Sequence, residues 1–102
     1  MSIEPRFDDL IHAPTRLSIV ALLAAADWAD FTFVRDSLSL SDSALSKQIS
    51  TLEQAGYVTV RKTGAGRSRR THLRLSAAGR RAFSAHAAVL RQIITDADAL
   101  TP

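Results

Sequence analysis

No cysteine occurs among the 102 residues, which excludes disulfides and thiolate metal sites. Long apolar runs are also missing. The longest, "IVALLAAA" (Ile19–Ala26), falls far short of the roughly 18 residues a membrane span needs. The opening "MSIEPRFDD" has no basic segment followed by an apolar one, so it carries no visible secretory signal. No linker, repeat or low-complexity tract interrupts the chain. These absences make a cytoplasmic protein the default, with no membrane partner. Hydrophobic residues make up 46% and charged residues 23%, which is ample for a core and argues against disorder. The length fits one domain spanning residues 1–102, since domains commonly run about 100–150 residues.

The most informative deficit is local. Between Gln54 and Ile94 there is no acid, while Arg61, Lys62, Arg67, Arg69, Arg70, Arg74, Arg80, Arg81 and Arg91 all fall there. Eight of the ten acids lie at or before Glu53, against four bases. Such asymmetry points to a polyanionic partner for the C-terminal half. A solvated basic surface is the plainer alternative.

What is present alternates in period. Phe7, Leu10 and Ile11 fit a short helix after Pro5 that ends near Ala13. Pro14 suits a first helical position, where its missing N–H costs nothing. Leu17, Val20 and Ala24, broadened by Leu22 and Leu23, predict a central core helix from Thr15 to about Ala26. Trp28–Phe31 reads as a turn or short extended piece, and Thr32 as the N-cap of a brief helix through Leu38. Trp28, Phe31 and Phe33 read as core packing.

Ser41 is the expected N-cap of a fourth helix, with Asp42 at its positive end. In "LSDSALSKQISTLEQAGY" (Leu40–Tyr57), Leu45, Ile49 and Leu52 recur at spacings of four and three and share one side. The other side is small and polar: Ser43, Ala44, Ser46, Lys47, Ser50 and Thr51, with Gln48 beside them. Gly56 stands where a left-handed C-terminal residue is expected. The period then changes to two. "YVTVRK" (Tyr57–Lys62) and "THLRLS" (Thr71–Ser76) predict strands, and "TGAGRSRR" (Thr63–Arg70) a hairpin tip. Ser76 can cap a last helix reaching about Ala97.

A helix with a short polar face fits a major groove roughly 12 Å wide, because small residues allow close approach. Lysine and glutamine suit guanine and adenine edges respectively. Ser43, Ala44, Ser46, Lys47, Gln48 and Ser50 are therefore the candidate base-reading set. An ordinary surface helix would favour long Glu and Lys in i,i+4 pairs, which this face lacks. The tip carries Arg67, Ser68, Arg69 and Arg70, placed to reach phosphates or the minor groove. "GAGRSRR" lacks the G-K-[ST] ending of a nucleotide-binding loop and leads into a strand, which disfavours that reading.

At these residues the chain resembles known families. "LIHAPTRLSIVALL" (Leu10–Leu23) is similar to the opening helices of ArsR-type regulators. "LSDSALSKQISTLEQAGYVTVRK" followed by "GRSRRTHLRLSAAGRRAF" is similar to the recognition helix, wing and last-helix start of MarR-type regulators. The resemblance runs from Leu10 to Phe83. It implies a mainly α winged helix-turn-helix with a two-stranded β-hairpin wing, in the order α-α-α-α-β-β-α. It also implies a dimeric bacterial transcription factor. Three departures stand out: the chain is shorter than typical MarR proteins, metal-sensing cysteines are absent, and Ser39 occupies a position where many such motifs have glycine. Whether a small-molecule effector acts is left open.

Chemistry of other kinds finds little footing. The histidines are His12, His72 and His86, and His72 reads as a phosphate neighbour or solvated group. Asp8, Asp9 and His12 could meet His86 across a dimer and hold a metal, but the expectation is no metal, no cofactor and no enzyme activity. The leading function is a sequence-specific double-stranded DNA-binding regulator, a repressor acting by promoter occlusion. The alternatives are a winged-helix protein-interaction module and a non-specific nucleic-acid-binding factor. Phe83, Leu90 and Ile94 form one stripe of the last helix (residues 77–100), flanked by Val89 and Ile93. With Phe7, Leu10 and Ile11, they predict a two-fold dimer on an inverted-repeat site.

Overall fold

The computed structural model describes residues 3–100, so Met1, Ser2, Thr101 and Pro102 of the expected 1–102 domain lie outside the described residues. The elements run α1 (Asp9–His12), α2 (Pro14–Ala24), β1 (Ala29–Asp30), α3 (Phe31–Ser37), α4 (Asp42–Gln54), β2 (Val58–Thr63), β3 (Arg70–Leu75) and α5 (Ala77–Ala99). A single 3-10 turn at Gly66–Ser68 lies in the hairpin. Helices dominate and the strands form one antiparallel sheet in the order β1-β3-β2.

The expected two-stranded hairpin is β2–β3, and a third, two-residue strand joins it. Ala29 pairs with Leu73 and Asp30 with His72, so the expected short extended piece completes the edge of β3. Ala29 is buried there and small enough to lie against the core. Asp30, not Thr32, caps α3: its carboxylate accepts from the Thr32 N–H at 3.1 Å and the Thr32 hydroxyl at 3.0 Å. A carboxylate takes precedence because it accepts both donors at once. These Thr32 bonds hold the Asp30 carboxyl below its ordinary range, with Arg70 adding to the effect.

The core forms where the periodic apolar faces converge. Ile19, Val20 and Leu23 of α2 meet Val34, Leu45, Ile49 and Leu52, with Val58, Leu73 and Leu75 from the sheet. Each such side chain contributes about 1.5–3 kcal/mol on burial. The expected inner face of α4 is therefore the observed one. Ser41 caps α4 by accepting the Ala44 N–H at 3.1 Å. Ser76 caps α5 through the Gly79 N–H at 3.0 Å and donates its hydroxyl to the Gly56 carbonyl, tying the end of α4 to the start of α5.

The segment before α2 is strapped to α5. The Arg6 N–H donates to the Ala85 carbonyl at 3.0 Å, and the Asp8 N–H donates to His86 Nδ1 at 3.0 Å. Because a backbone N–H can only donate, the His86 ring proton must sit on Nε2. That nitrogen faces His12 Nδ1 at 3.1 Å. Phe7 stands against both imidazoles, at centroid distances of 4.7 and 4.8 Å. The two histidines thus meet within one chain, not across a dimer, and both His86 nitrogens are occupied. Among the described residues no group of three or more His, Cys, Asp or Glu could hold a metal ion.

Several residues expected at a dimer surface are used by the chain itself. Ile11 is fully buried, and Leu10 and Phe83 pack against the core. The first helix begins only at Asp9, so Phe7 precedes it, and the apolar spacing does not say which face the chain itself will cover. Beyond Leu90, by contrast, every described residue of α5 is exposed. The radius of gyration is 15.5 Å, larger than the roughly 13 Å of a compact 100-residue domain. A 23-residue helix is about 35 Å long, and its far end projects from the body.

Candidate nucleic-acid interface

Two short helices and the turn between them set the angle at which α4 is presented. The turn passes through Ser39, whose φ of 54° is left-handed for a residue other than glycine. The Ser39 and Leu40 N–H groups donate to the Asp36 and Arg35 carbonyls. Arg35 then clasps the joint, bonding Asp36 at 2.9 Å and Asp42, the first residue of α4, at 2.8 Å. Both carboxylates favour its charged form and push its pKa above the ordinary arginine value. With Leu45, Ile49 and Leu52 buried, the opposite stripe of α4 is forced outward.

That stripe is where the structure places Ser43, Ser46, Lys47 and Ser50, all exposed. Ala44 and Gln48 are half-buried. Gln48 lies on the flank facing α2, where its Oε1 accepts from Arg16 Nη1 at 3.0 Å. The other flank of α4 runs beside the sheet, and Ser46 and Ser50 line a groove with Lys62 and Thr71 of the hairpin. Recognition-helix and wing residues thus share one cleft.

Val58 to Thr63 pair in unbroken register with Leu75 to Arg70, so the tip is confined to residues 64–69. Gly64 permits the turn: its φ is 76°, and a Cβ there would overlap the Ser68 carbonyl. The Ser68 hydroxyl donates to the Ala65 carbonyl at 2.8 Å, closing the tip. Ser68 therefore shapes the loop, while Arg67 and Arg69 are exposed and, among the described residues, carry no ion pair. Arg70 differs. It belongs to β3 and pairs with Asp30 at 3.4 Å.

The basic run is thus less free than its count suggests. Arg74 pairs with Asp27 at 3.1 Å. Arg80 donates to the carbonyls of Ala24 and Ala26, at 3.3 and 2.9 Å, where a cation offsets the negative end of α2. Arg61 stacks over Trp28 at 4.2 Å, with Arg74 also near that ring at 5.6 Å. Lys47, Lys62, Arg67 and Arg69 remain as the exposed cations beside α4 and the tip.

The aromatic trio separates likewise. Phe31 packs on the core, Trp28 is half-buried beneath the two arginines, and Phe33 is 56% exposed. Core packing was the expectation for all three, and it fails for Phe33 because α3 turns Val34 inward instead. His72 is half-buried with Thr63 Oγ1 at 3.3 Å from its Nε2. Sequence reasoning missed the Arg16–Gln48 bond. Its one signal was that Arg16 is the lone charge in the "PTRLSIVALLA" helix.

A helix-turn-helix pair followed by a basic hairpin defines a winged-helix DNA-binding domain. The chain belongs to that family: the family model for the winged helix DNA-binding domain matches residues 15–94. An uncharacterized protein of Methanocaldococcus jannaschii is 27% identical over 74 residues, covering 72% of this chain and 80% of that one. The transcriptional regulator homologue from Pyrococcus horikoshii OT3 superposes with a TM-score of 0.82 at 27% identity, covering 87% of this chain and 88% of that one. A homodimeric winged helix-turn-helix DNA-binding domain of Mycobacterium bovis, a possible ArsR-family regulator, has a TM-score of 0.64 at 22% identity, covering 85% and 72%. MarR- and ArsR-family regulators are the chain's structural neighbours, as the sequence resemblance implied. Among the described residues no helix is long and apolar enough to cross a membrane.

Proposed function

We propose that this domain is a homodimeric, sequence-specific transcriptional repressor that binds an inverted-repeat operator and occludes a promoter. The observation that carries the reading is the outward stripe of α4, Ser43, Lys47 and Ser50, beside a tip whose Arg67 and Arg69 have no acidic partner among the described residues. The helix reads base edges in the major groove and the tip holds phosphates. A protein-binding role for the same face would need apolar anchors, and this stripe has none. Dimerisation falls to Ile93 and Ile94 on the projecting half of α5 and to half-buried Leu90 where that half begins, with Phe7 close to its root. The homodimeric Mycobacterium bovis domain supports that assignment.

The test is selection of bound duplexes from fragmented genomic DNA, followed by titration at two salt concentrations. Lys47→Ala is expected to change base preference, at about 1–3 kcal/mol for a good contact. Arg69→Ala is expected to weaken all duplexes evenly and reduce the salt slope by about one phosphate. Equal affinity for random and selected duplexes would refute sequence-specific binding.

A further inference from the structure

We infer that Arg16 is a positioning residue for DNA recognition, which turns Gln48 from an adenine reader into a hydrogen-bond donor for guanine or thymine. The inference rests on the proposed DNA-reading role of α4 and deepens it. Arg16 lies on α2, outside the recognition helix. Its Nε donates to the Leu10 carbonyl at 2.6 Å and its Nη1 to Gln48 Oε1 at 3.0 Å. The guanidinium is thus fixed at one end by α1 and reaches α4 at the other.

The orientation of the Gln48 amide follows from chemistry. A guanidinium has only donors, so the atom facing it must be the carbonyl oxygen. The amide nitrogen therefore points away from Arg16. Among the described residues it has no protein partner and no buried side-chain N or O lacks one, so Nε2 reaches the surface. What α4 offers at this position is an NH2 group.

In the major groove that group seeks acceptors. Guanine presents N7 and O6, and thymine presents O4. The usual glutamine pairing with adenine needs Oε1 and Nε2 side by side, accepting from N6 and donating to N7. Here Oε1 is drawn toward a cation on the protein side. It keeps one further lone pair, so adenine recognition is the competing outcome, and the experiment must separate the two.

The full chain and three variants are each put through selection from a randomised duplex pool, with thermal melting as a check on folding. For the wild type, one position per half-site is expected to favour guanine or thymine and to lose its preference in Gln48→Ala. Gln48→Glu retains an acceptor for Arg16 but turns an acceptor outward. Preference at that position should move at least tenfold toward cytosine or adenine, which present amino donors. Arg16→Met frees the amide and should let adenine in at the same position. A merely structural role for Arg16 would lower affinity at every position alike and leave preference unchanged. The inference is overturned if Gln48→Glu and Gln48→Ala leave every position as in the wild type. It is also overturned if the position lost in Gln48→Ala is adenine in the wild type. Absence of any selected sequence for the wild type would instead defeat the DNA-reading proposal, and this inference with it.

Discussion

One helix runs through α5, yet its two halves meet different surroundings. In the first half Gly79 and His86 are buried, Phe83 packs on the core, and Arg80 closes the end of α2. From Arg91 onward every described residue is exposed, Ile93 at 55% and Ile94 at 60%. The apolar stripe continues through Ile93 and Ile94 before the polar "TDADA" end, so the loss of hydrophobic pattern does not explain why these two isoleucines are exposed. What changes is the supply of partners. The body of the domain is only wide enough to cover the first half, and apolar residues beyond it are left for another surface.

The contrast can be broken most severely at Gly79. A Cβ there would overlap the Tyr57 backbone carbonyl, and neither backbone can yield without disturbing the sheet. Gly79→Ala is expected to cost about 3 kcal/mol, read from urea unfolding. Next in size is the far half. Leu90→Glu with Ile94→Glu should leave monomer unfolding almost unchanged but abolish the dimer in light scattering. Affinity for an inverted repeat should fall about a hundredfold, toward that of a single half-site. A monomeric native protein at micromolar concentration would show that the exposed half serves something else.

A smaller effect is expected with pH, and only from the near half. Burial, reinforced by the neighbouring His12, lowers the His86 pKa from 6.5, while Asp8 and Asp9 oppose the shift. The unfolded chain therefore binds a proton more readily than the native one as pH falls below about 6.5. Stability should be full above that value and decline with acidification beneath it. Replacing His86 by Gln should flatten this slope in pH-dependent melts, since Gln does not titrate. Asp8 acts lower on the scale. Burial raises its pKa, but the Tyr57 hydroxyl at 2.6 Å and the Ile11 and Leu10 N–H groups outweigh burial and hold it below 3.8. Its contribution persists above that value and is lost only in stronger acid.

The smallest change tests a joint outside α5. Left-handed backbone costs a non-glycine residue about 1–2 kcal/mol, and glycine recovers this at an entropic cost of about 0.5–1 kcal/mol. Ser39→Gly should therefore stabilise the domain by about 0.5–1 kcal/mol in urea. It should leave base preference as it was.

Local chemistry made much of this fold legible. The apolar spacing of Leu45, Ile49 and Leu52, the caps at Ser41 and Ser76, and the change to period two after Gly56 are properties of neighbouring residues. Long-range pairing was not legible. β1 is two residues long, too short to show a period, and it exists because β3 offered an open edge. Thr32 was the expected cap of α3, and the cap fell instead to Asp30, the residue held in β1. Gln48 looked like an adenine reader because nothing near it in sequence announces Arg16. His12 and His86, 74 positions apart, carry no local signal that they touch.

That last separation has a consequence during synthesis. The Asp8 N–H finds its acceptor in a residue made 78 positions later. At about 5–20 residues per second, translation leaves the strap without its partner for about 4–16 s. Phe7 and His12 must wait through that interval for α5 to emerge. The strap is thus made well before it can be secured, and newly made chains should be most open to chaperones and proteases along it.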